Sequence, residues 1–200
     1  MTKEKTGPKM SLSYAKAVAD RLTVLLSLHC ERFDVAGSIR RECELVSDIE
    51  IVCQPKKVFV PKDLFGDGDW KICFEFSSAL SDVTEEIVKG ELTGRYQQRI
   101  LKGGIKLDLF LPEPDDYYRQ LAIRTGSSDY SAKILAASWV KRGWVGTING
   151  GLREKRYCIE TKSGWKCLNL NSPKPPVWDS EEAFFEWLGI SWKEPKLRNL

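Results

Sequence analysis

The sequence predicts an α+β protein in two parts, a mixed unit over 1–114 and a smaller α+β unit over 115–200. Three observations predict it. The stretches 48–53 and 106–111 alternate in the manner of strands. The stretch 11–28 instead sets Leu12, Ala15, Ala19, Leu22, Leu25 and Leu26 at helical spacing. Pro112 and Pro114 then interrupt the chain, and both kinds of pattern resume beyond them.

Each element follows from local chemistry. Residues 1–10 are polar with Gly7-Pro8 and are expected to fray. Ser11 or Ser13 caps the first helix. A short strand over 31–36 feeds a Gly37-Ser38 turn, and a short helix over 40–45 precedes the strand 48–53. Phe65-Gly66-Asp67-Gly68-Asp69 is expected to turn between strands near 57–60 and 70–75; the spaced ligands and closing Glu of a calcium loop are missing. The stretch 78–89 reads as a helix stopped at Gly90. Residues 95–101, the Lys102-Gly103-Gly104 turn and 106–111 form a hairpin.

Beyond the prolines, 116–123 reads as helix. Thr125-Gly126-Ser127-Ser128 then turns and caps a helix over 129–142 that ends at Gly143. Short strands over 144–170 turn at Asn149-Gly150 and Ser163-Gly164. Ser180-Glu181-Glu182 opens a last helix, stopped at Gly189.

Composition excludes several classes. Charged residues at 30% and hydrophobic residues at 42% describe an ordinary globular chain, and a net charge of +3 permits nucleic acid without demanding it. Acidic residues gather at 42–50, 81–91, 113–116 and 179–186, and basic ones at 95–106, 141–142, 153–156 and 193–198. The six cysteines contain no C-x-x-C pair and His29 is the sole histidine, which argues against zinc. We expect free thiols, a reducing cytoplasmic location and no membrane partner, because the apolar run 22–28 is too short for a signal or a span.

The most informative stretch is Gly37-Ser38-Ile39-Arg40-Arg41 followed by Asp48-Ile49-Glu50-Ile51-Val52. On a strand, Asp48 and Glu50 share one face while Ile49, Ile51 and Cys53 share the other. Two such carboxylates repel unless a cation sits between them. An acid-x-acid strand alone is most often a wet acidic face. Ser38 and Arg41 in front of it suit a polyphosphate, and together these groups point to metal-dependent phosphoryl or nucleotidyl transfer. Asp108, on the Lys106/Phe110 face of its strand, supplies a third hard oxygen ligand. An antiparallel partner strand would bring it opposite Asp48 and Glu50, where two Mg²⁺ ions fit.

From about Lys9 onward the chain resembles the family X DNA polymerases, the group of DNA polymerase beta. The resemblance rests on the Gly37-Ser38 and Asp48/Glu50 signature, on Asp108 and on Tyr117-Tyr118. It rests also on Thr125-Gly126-Ser127 and on the stretch from Ser180-Glu181-Glu182 through Glu194-Pro195-Lys196-Leu197-Arg198. It implies a nucleotidyltransferase palm over 1–114, a mixed or antiparallel sheet flanked by helices, and a small α+β thumb over 115–200. The implied protein is a monomeric, DNA-directed DNA polymerase filling short gaps in repair, of a compact phage or viral type. Its substrates would be gapped or primer–template DNA and deoxynucleoside triphosphates, and its cofactor two Mg²⁺ ions, with Mn²⁺ an alternative. By the same resemblance Asp48, Glu50 and Asp108 hold the metals, with Asp108 nearest the primer hydroxyl, and Gly37, Ser38 and Arg41 hold the triphosphate. Thr125, Gly126, Ser127 and Asp129 face the nucleotide's sugar and base, and Arg40, Lys106, Lys133, Lys141 and Arg198 contact DNA.

The departures have consequences. Glu50 stands where the family has Asp, moving the oxygens by roughly 1.5 Å. Ile123-Arg124 replaces the aromatic pair before Thr-Gly-Ser, which bears on sugar selectivity. The minor-groove Asn and Arg are replaced by small or apolar residues over 131–136, so low fidelity is expected. An amino-terminal lyase domain and a helix-hairpin-helix segment are expected to be missing, and weak DNA binding is expected with them. Two other readings compete: a template-independent nucleotidyltransferase, and a nucleic-acid-binding protein with an inactive site.

Overall fold

A computed structural model describes residues 9–63, 66–91, 94–169 and 171–200. The chain divides into two compact units after Pro114. The architecture is α+β, with a mixed sheet flanked by helices.

In the first unit, β1 (Met10–Ser11) leads into helix α1 (Leu12–Leu26), whose N-cap Ser11 accepts from the Tyr14 amide. Strand β2 (Cys30–Val35) runs into the one-turn helix α2 (Gly37–Arg40), then β3 (Leu45–Val46) and β4 (Ile49–Pro55). Strands β5 (Lys57–Pro61) and β6 (Gly68–Ile72) pair as an antiparallel ribbon, and α3 (Phe74–Val83) follows. Strands β7 (Thr84–Lys89), β8 (Tyr96–Leu101) and β9 (Lys106–Phe110) close the unit. The five-stranded sheet has the order β2-β4-β9-β8-β7.

One face of that sheet is apolar. Ile49, Ile51 and Cys53 of β4 and Leu107 and Leu109 of β9 pack under Ala15, Ala19, Leu22 and Leu26 of α1 and Phe76 and Leu80 of α3. Alternation therefore leaves the residues between them on the opposite face, away from α1 and α3.

Four expectations are corrected. β4 and β9 pair in parallel, not antiparallel; the intervening chain crosses over through α3, β7 and β8, as parallel neighbours require. Residues 84–89 form an edge strand on β8, not the second half of a helix. The β-branched Thr84, Ile87 and Val88 favour that state once a partner edge is present. The helix expected over 40–45 is instead α2, ended where Glu42 takes a positive φ of 57°. The start of the chain is expected to fray through residue 10, yet Met10 pairs with Val46. Residues 1–8, Phe65 of the expected ribbon turn and Leu170 lie outside the described residues.

In the second unit, α4 (Tyr117–Thr125) precedes a helical run made of α5 (Ser128–Tyr130), a π-helical stretch (Ser131–Ala136) and α6 (Ala137–Lys141). Two hairpins follow, β10 (Trp144–Gly146) with β11 (Leu152–Glu154) and β12 (Cys158–Thr161) with β13 (Gly164–Cys167). Helix α7 (Glu181–Leu188) is capped by Ser180 and ends at Gly189, whose φ of 72° is the left-handed conformation glycine adopts cheaply. Trp178, Phe184 and Phe185 form its core with Tyr130, Leu135 and Trp139. Trp178 meets Phe184 edge-on at 4.8 Å between centroids. No helix among the described residues is long and apolar enough to cross a membrane.

Candidate active site

The acidic constellation is assembled by strand pairing. Parallel register sets Glu50 directly opposite Asp108, and the antiparallel register of β8 with β9 sets Gln98 opposite Asp108 on its other side. Directly paired residues share a face. Glu50, Asp108 and Gln98 thus form one row across three strands, on the face opposite α1 and α3. Asp48 lies immediately before β4, and Lys106 opens β9.

Lys106 bridges two of the carboxylates. Its Nζ lies 2.7 Å from Asp48 Oδ2 and 3.4 Å from Asp108 Oδ2. Burial works against the ammonium, yet its hydrogen bond to Asp48 and the charges of Asp108 and Asp48 push its pKa above the ordinary lysine value. The position between these carboxylates is thus held by a cation.

Two side chains not foreseen in the sequence orient Asp108. Tyr96 Oη and Gln98 Nε2 each donate to Asp108 Oδ1 at 2.9 Å. The Tyr96 ring stacks on Phe110 at 5.2 Å, which fixes its hydroxyl. The signal was present: Tyr96 and Gln98 alternate on one face of the hairpin that presents Asp108. Only the register turns that alternation into contact.

Gly37 explains the closeness of the turn to the acids. It opens α2 with φ of 63°, and a β-carbon there would overlap Glu50 Oε2. The Ala36 amide donates to the Glu50 carbonyl at 2.8 Å, which ties the turn to β4. Ser38, Arg40 and Arg41 follow, all half-buried.

The donor set consists of hard oxygens, the chemistry that Mg²⁺ or Mn²⁺ prefers, and Asp48, Glu50 and Asp108 are the residues that would hold such an ion. Among the described residues, however, no group of three or more His, Cys, Asp or Glu side chains stands in a ligating arrangement. Lys106 instead pairs with two of these acids, Asp48 and Asp108.

In the second unit the expected nucleotide-facing residues serve the backbone. Thr125 is fully buried and its hydroxyl donates to the Leu121 carbonyl at 2.7 Å. Ser127 Oγ accepts from the Tyr130 amide at 3.3 Å as the N-cap of α5, and from the Leu200 amide at 3.4 Å. Gly126, between them, is buried with φ of 68°. Asp129 is exposed and pairs with Lys133 at 2.6 Å. Lys141 is exposed in the last turn of α6.

Arg198 is a correction. Expected on DNA, it is 0% exposed. Its guanidinium donates through Nη1 and Nη2 to the two Glu181 oxygens at 2.9 and 2.8 Å, and through Nε to the Lys193 carbonyl at 2.8 Å. It also stacks over Phe185 at 4.8 Å. A planar fork suits a carboxylate as well as a phosphate, and here the carboxylate is internal.

No protein-family model and no curated protein matches the chain.

Proposed function

We propose that the chain is a metal-dependent nucleotidyltransferase, and specifically a DNA-directed DNA polymerase that fills short gaps. The observation that carries this reading is the register of Glu50 against Asp108, with Lys106 held between Asp108 and Asp48. The strand register sets Glu50 beside Asp108, and the Gly37 turn closes against Glu50.

The residues divide the work. Ser38 and Arg41 bind the triphosphate beside Glu50. Asp108, held at Oδ1 by Tyr96 and Gln98, directs Oδ2 to the primer 3′-hydroxyl and accepts its proton. The 3′-oxygen attacks the α-phosphorus, the bond to the β-phosphate oxygen breaks, and pyrophosphate leaves. Asp48, Glu50 and Asp108 would hold Mg²⁺, which would supply positive charge beside the reacting phosphate and lower the pKa of the attacking hydroxyl. Lys106 guards the acids until substrate arrives and then moves its charge toward the primer phosphate.

A second reading is a template-independent nucleotidyltransferase. It is favoured by the engagement of the Thr125 and Ser127 hydroxyls with the backbone, which leaves the sugar with fewer fixed contacts. Primer extension on a one-nucleotide-gapped duplex separates the two. Incorporation of only the templated nucleotide supports the polymerase; addition regardless of template supports the transferase.

A further inference from the structure

The second unit carries a pair of thiols that nucleotidyl transfer does not use. In the β12–β13 hairpin Cys158 and Cys167 are directly opposite, the pair farthest from the Lys162-Ser163 turn. The Leu168 amide donates to the Tyr157 carbonyl at 2.9 Å, which marks the next pair outward as a bonded one. Bonded and non-bonded pairs alternate along an antiparallel ladder, so Cys158 and Cys167 form a non-bonded pair. Such residues stand about 4.5 Å apart at Cα, with their side chains closest. That separation falls within the roughly 4.4–6.8 Å that a disulfide spans.

Each thiol is hydrogen-bonded. Cys158 Sγ donates to the Glu154 carbonyl at 3.5 Å. Cys167 Sγ also lies 3.3 Å from Ser172 Oγ and donates to the Asn169 carbonyl at 3.1 Å. Cys158 is half-buried and borders an open groove lined by Arg142, Trp144, Lys155, Arg156 and Trp165, and the buried Cys167 lies directly opposite it in the hairpin.

Their surroundings differentiate them. The Ser172 hydroxyl lowers the Cys167 pKa against the opposing effect of burial, and Arg153 adds to the lowering. Burial raises the Cys158 pKa. The two thiols are therefore biased in opposite directions, Cys167 toward the thiolate and Cys158 toward the thiol. Cys30 and Cys53 are also neighbours, but burial pushes the fully enclosed Cys53 thiol well above its ordinary value. It stays protonated and shielded, and a thiol, unlike a thiolate, is a poor nucleophile.

We propose that Cys158 and Cys167 form a reversible redox-modification site, closed to a disulfide by hydrogen peroxide and reopened by a dithiol reductant. The Cys167 thiolate attacks one peroxide oxygen, the O–O bond breaks, and hydroxide leaves to take up a proton as water. The Cys158 sulfur then displaces hydroxide from the sulfenic acid, and the Cys158 proton leaves with it as a second water. Two thiols lose two electrons and the peroxide gains them. The inference does not depend on the nucleotidyl-transfer reading.

The test is stepwise hydrogen peroxide on the full chain at neutral pH, followed by N-ethylmaleimide, digestion and peptide mapping by mass spectrometry. The expected first product is the Cys158–Cys167 cross-linked peptide, with Cys30, Cys43, Cys53 and Cys73 alkylated and with dithiothreitol restoring both thiols. Ser172→Ala should slow the closure several-fold, and Cys158→Ser should leave a sulfenic acid on Cys167 that dimedone traps. A first disulfide elsewhere or between two chains overturns the proposal. So does sulfinic acid on Cys167 beside an alkylated Cys158, or no closure under peroxide that oxidises free glutathione.

Discussion

Lys106 Nζ and Asp48 Oδ2 are 2.7 Å apart, a contact that joins the first residue of β9 to the residue just before β4 and places a cation at the acidic end of the sheet. The same ammonium reaches Asp108 at 3.4 Å. Its consequence is competition: any added cation that binds these carboxylates must displace the lysine.

Lys106→Met is therefore expected to lower the melting temperature without divalent metal, since it leaves like charges facing each other. It should also enlarge the rise in melting temperature that Mg²⁺ produces. Thermal melts with and without Mg²⁺ measure both. An unchanged or smaller Mg²⁺ shift in the variant would mean that the lysine does not occupy the cation position.

The pH dependence of that contact follows from its sign. The folded pKa of Lys106 is raised, so its stabilisation is complete below the unfolded lysine value of about 10.4. It is lost only as pH rises through the higher folded value. The stability difference between wild type and Lys106→Met should stay flat from about pH 6 to about pH 9 and shrink in strong alkali. Denaturant melts across that range test it, and a difference that vanishes near neutrality would contradict it.

Tyr96→Phe and Gln98→Ala each remove one donor from Asp108 Oδ1. Partners that orient a metal-binding carboxylate are typically worth roughly 10–100-fold in affinity or activity. Each variant should lose about that much kcat while keeping its fold, as judged by circular dichroism. Full activity in both would remove Asp108 orientation from the mechanism.

Gly37→Ala places a β-carbon against the Glu50 carboxylate at a positive φ, costing about 1–3 kcal/mol in backbone strain. Glu50 is flexible and can move aside, so activity should fall further than stability. Equal losses, measured by urea unfolding beside primer extension, would mean that the turn serves folding alone.

Much of this was legible in the sequence, and the misses share a cause. Alternation at Asp48, Glu50 and Asp108 reveals which face each acid takes but carries no strand direction, so the parallel register emerged only with the sheet. The stretch over 84–89 reads as helix because Glu85, Glu86 and Lys89 suit one; the exposed edge of β8 decided otherwise. Thr125-Gly126-Ser127 has the composition of a helix cap and of a sugar-facing motif alike, and its hydroxyls serve the backbone. Nothing local in Lys196-Leu197-Arg198 signals that Glu181 folds back to enclose the arginine.

That enclosure makes its own prediction. Glu181→Gln leaves the Arg198 charge buried without its carboxylate, a loss of about 3–5 kcal/mol. Urea unfolding should show a drop of that size, while the salt dependence of DNA binding by the folded fraction stays unchanged. A shallower salt slope instead would return Arg198 to the DNA interface.

The most direct measurement is primer extension on a one-nucleotide-gapped duplex, with each nucleotide supplied singly in Mg²⁺ or Mn²⁺, beside Asp108→Ala. Templated addition by the wild type, absent in a folded Asp108→Ala variant, is the expected result. No addition with either metal by a protein that still binds the gapped DNA would contradict nucleotidyl transfer at Asp48, Glu50 and Asp108.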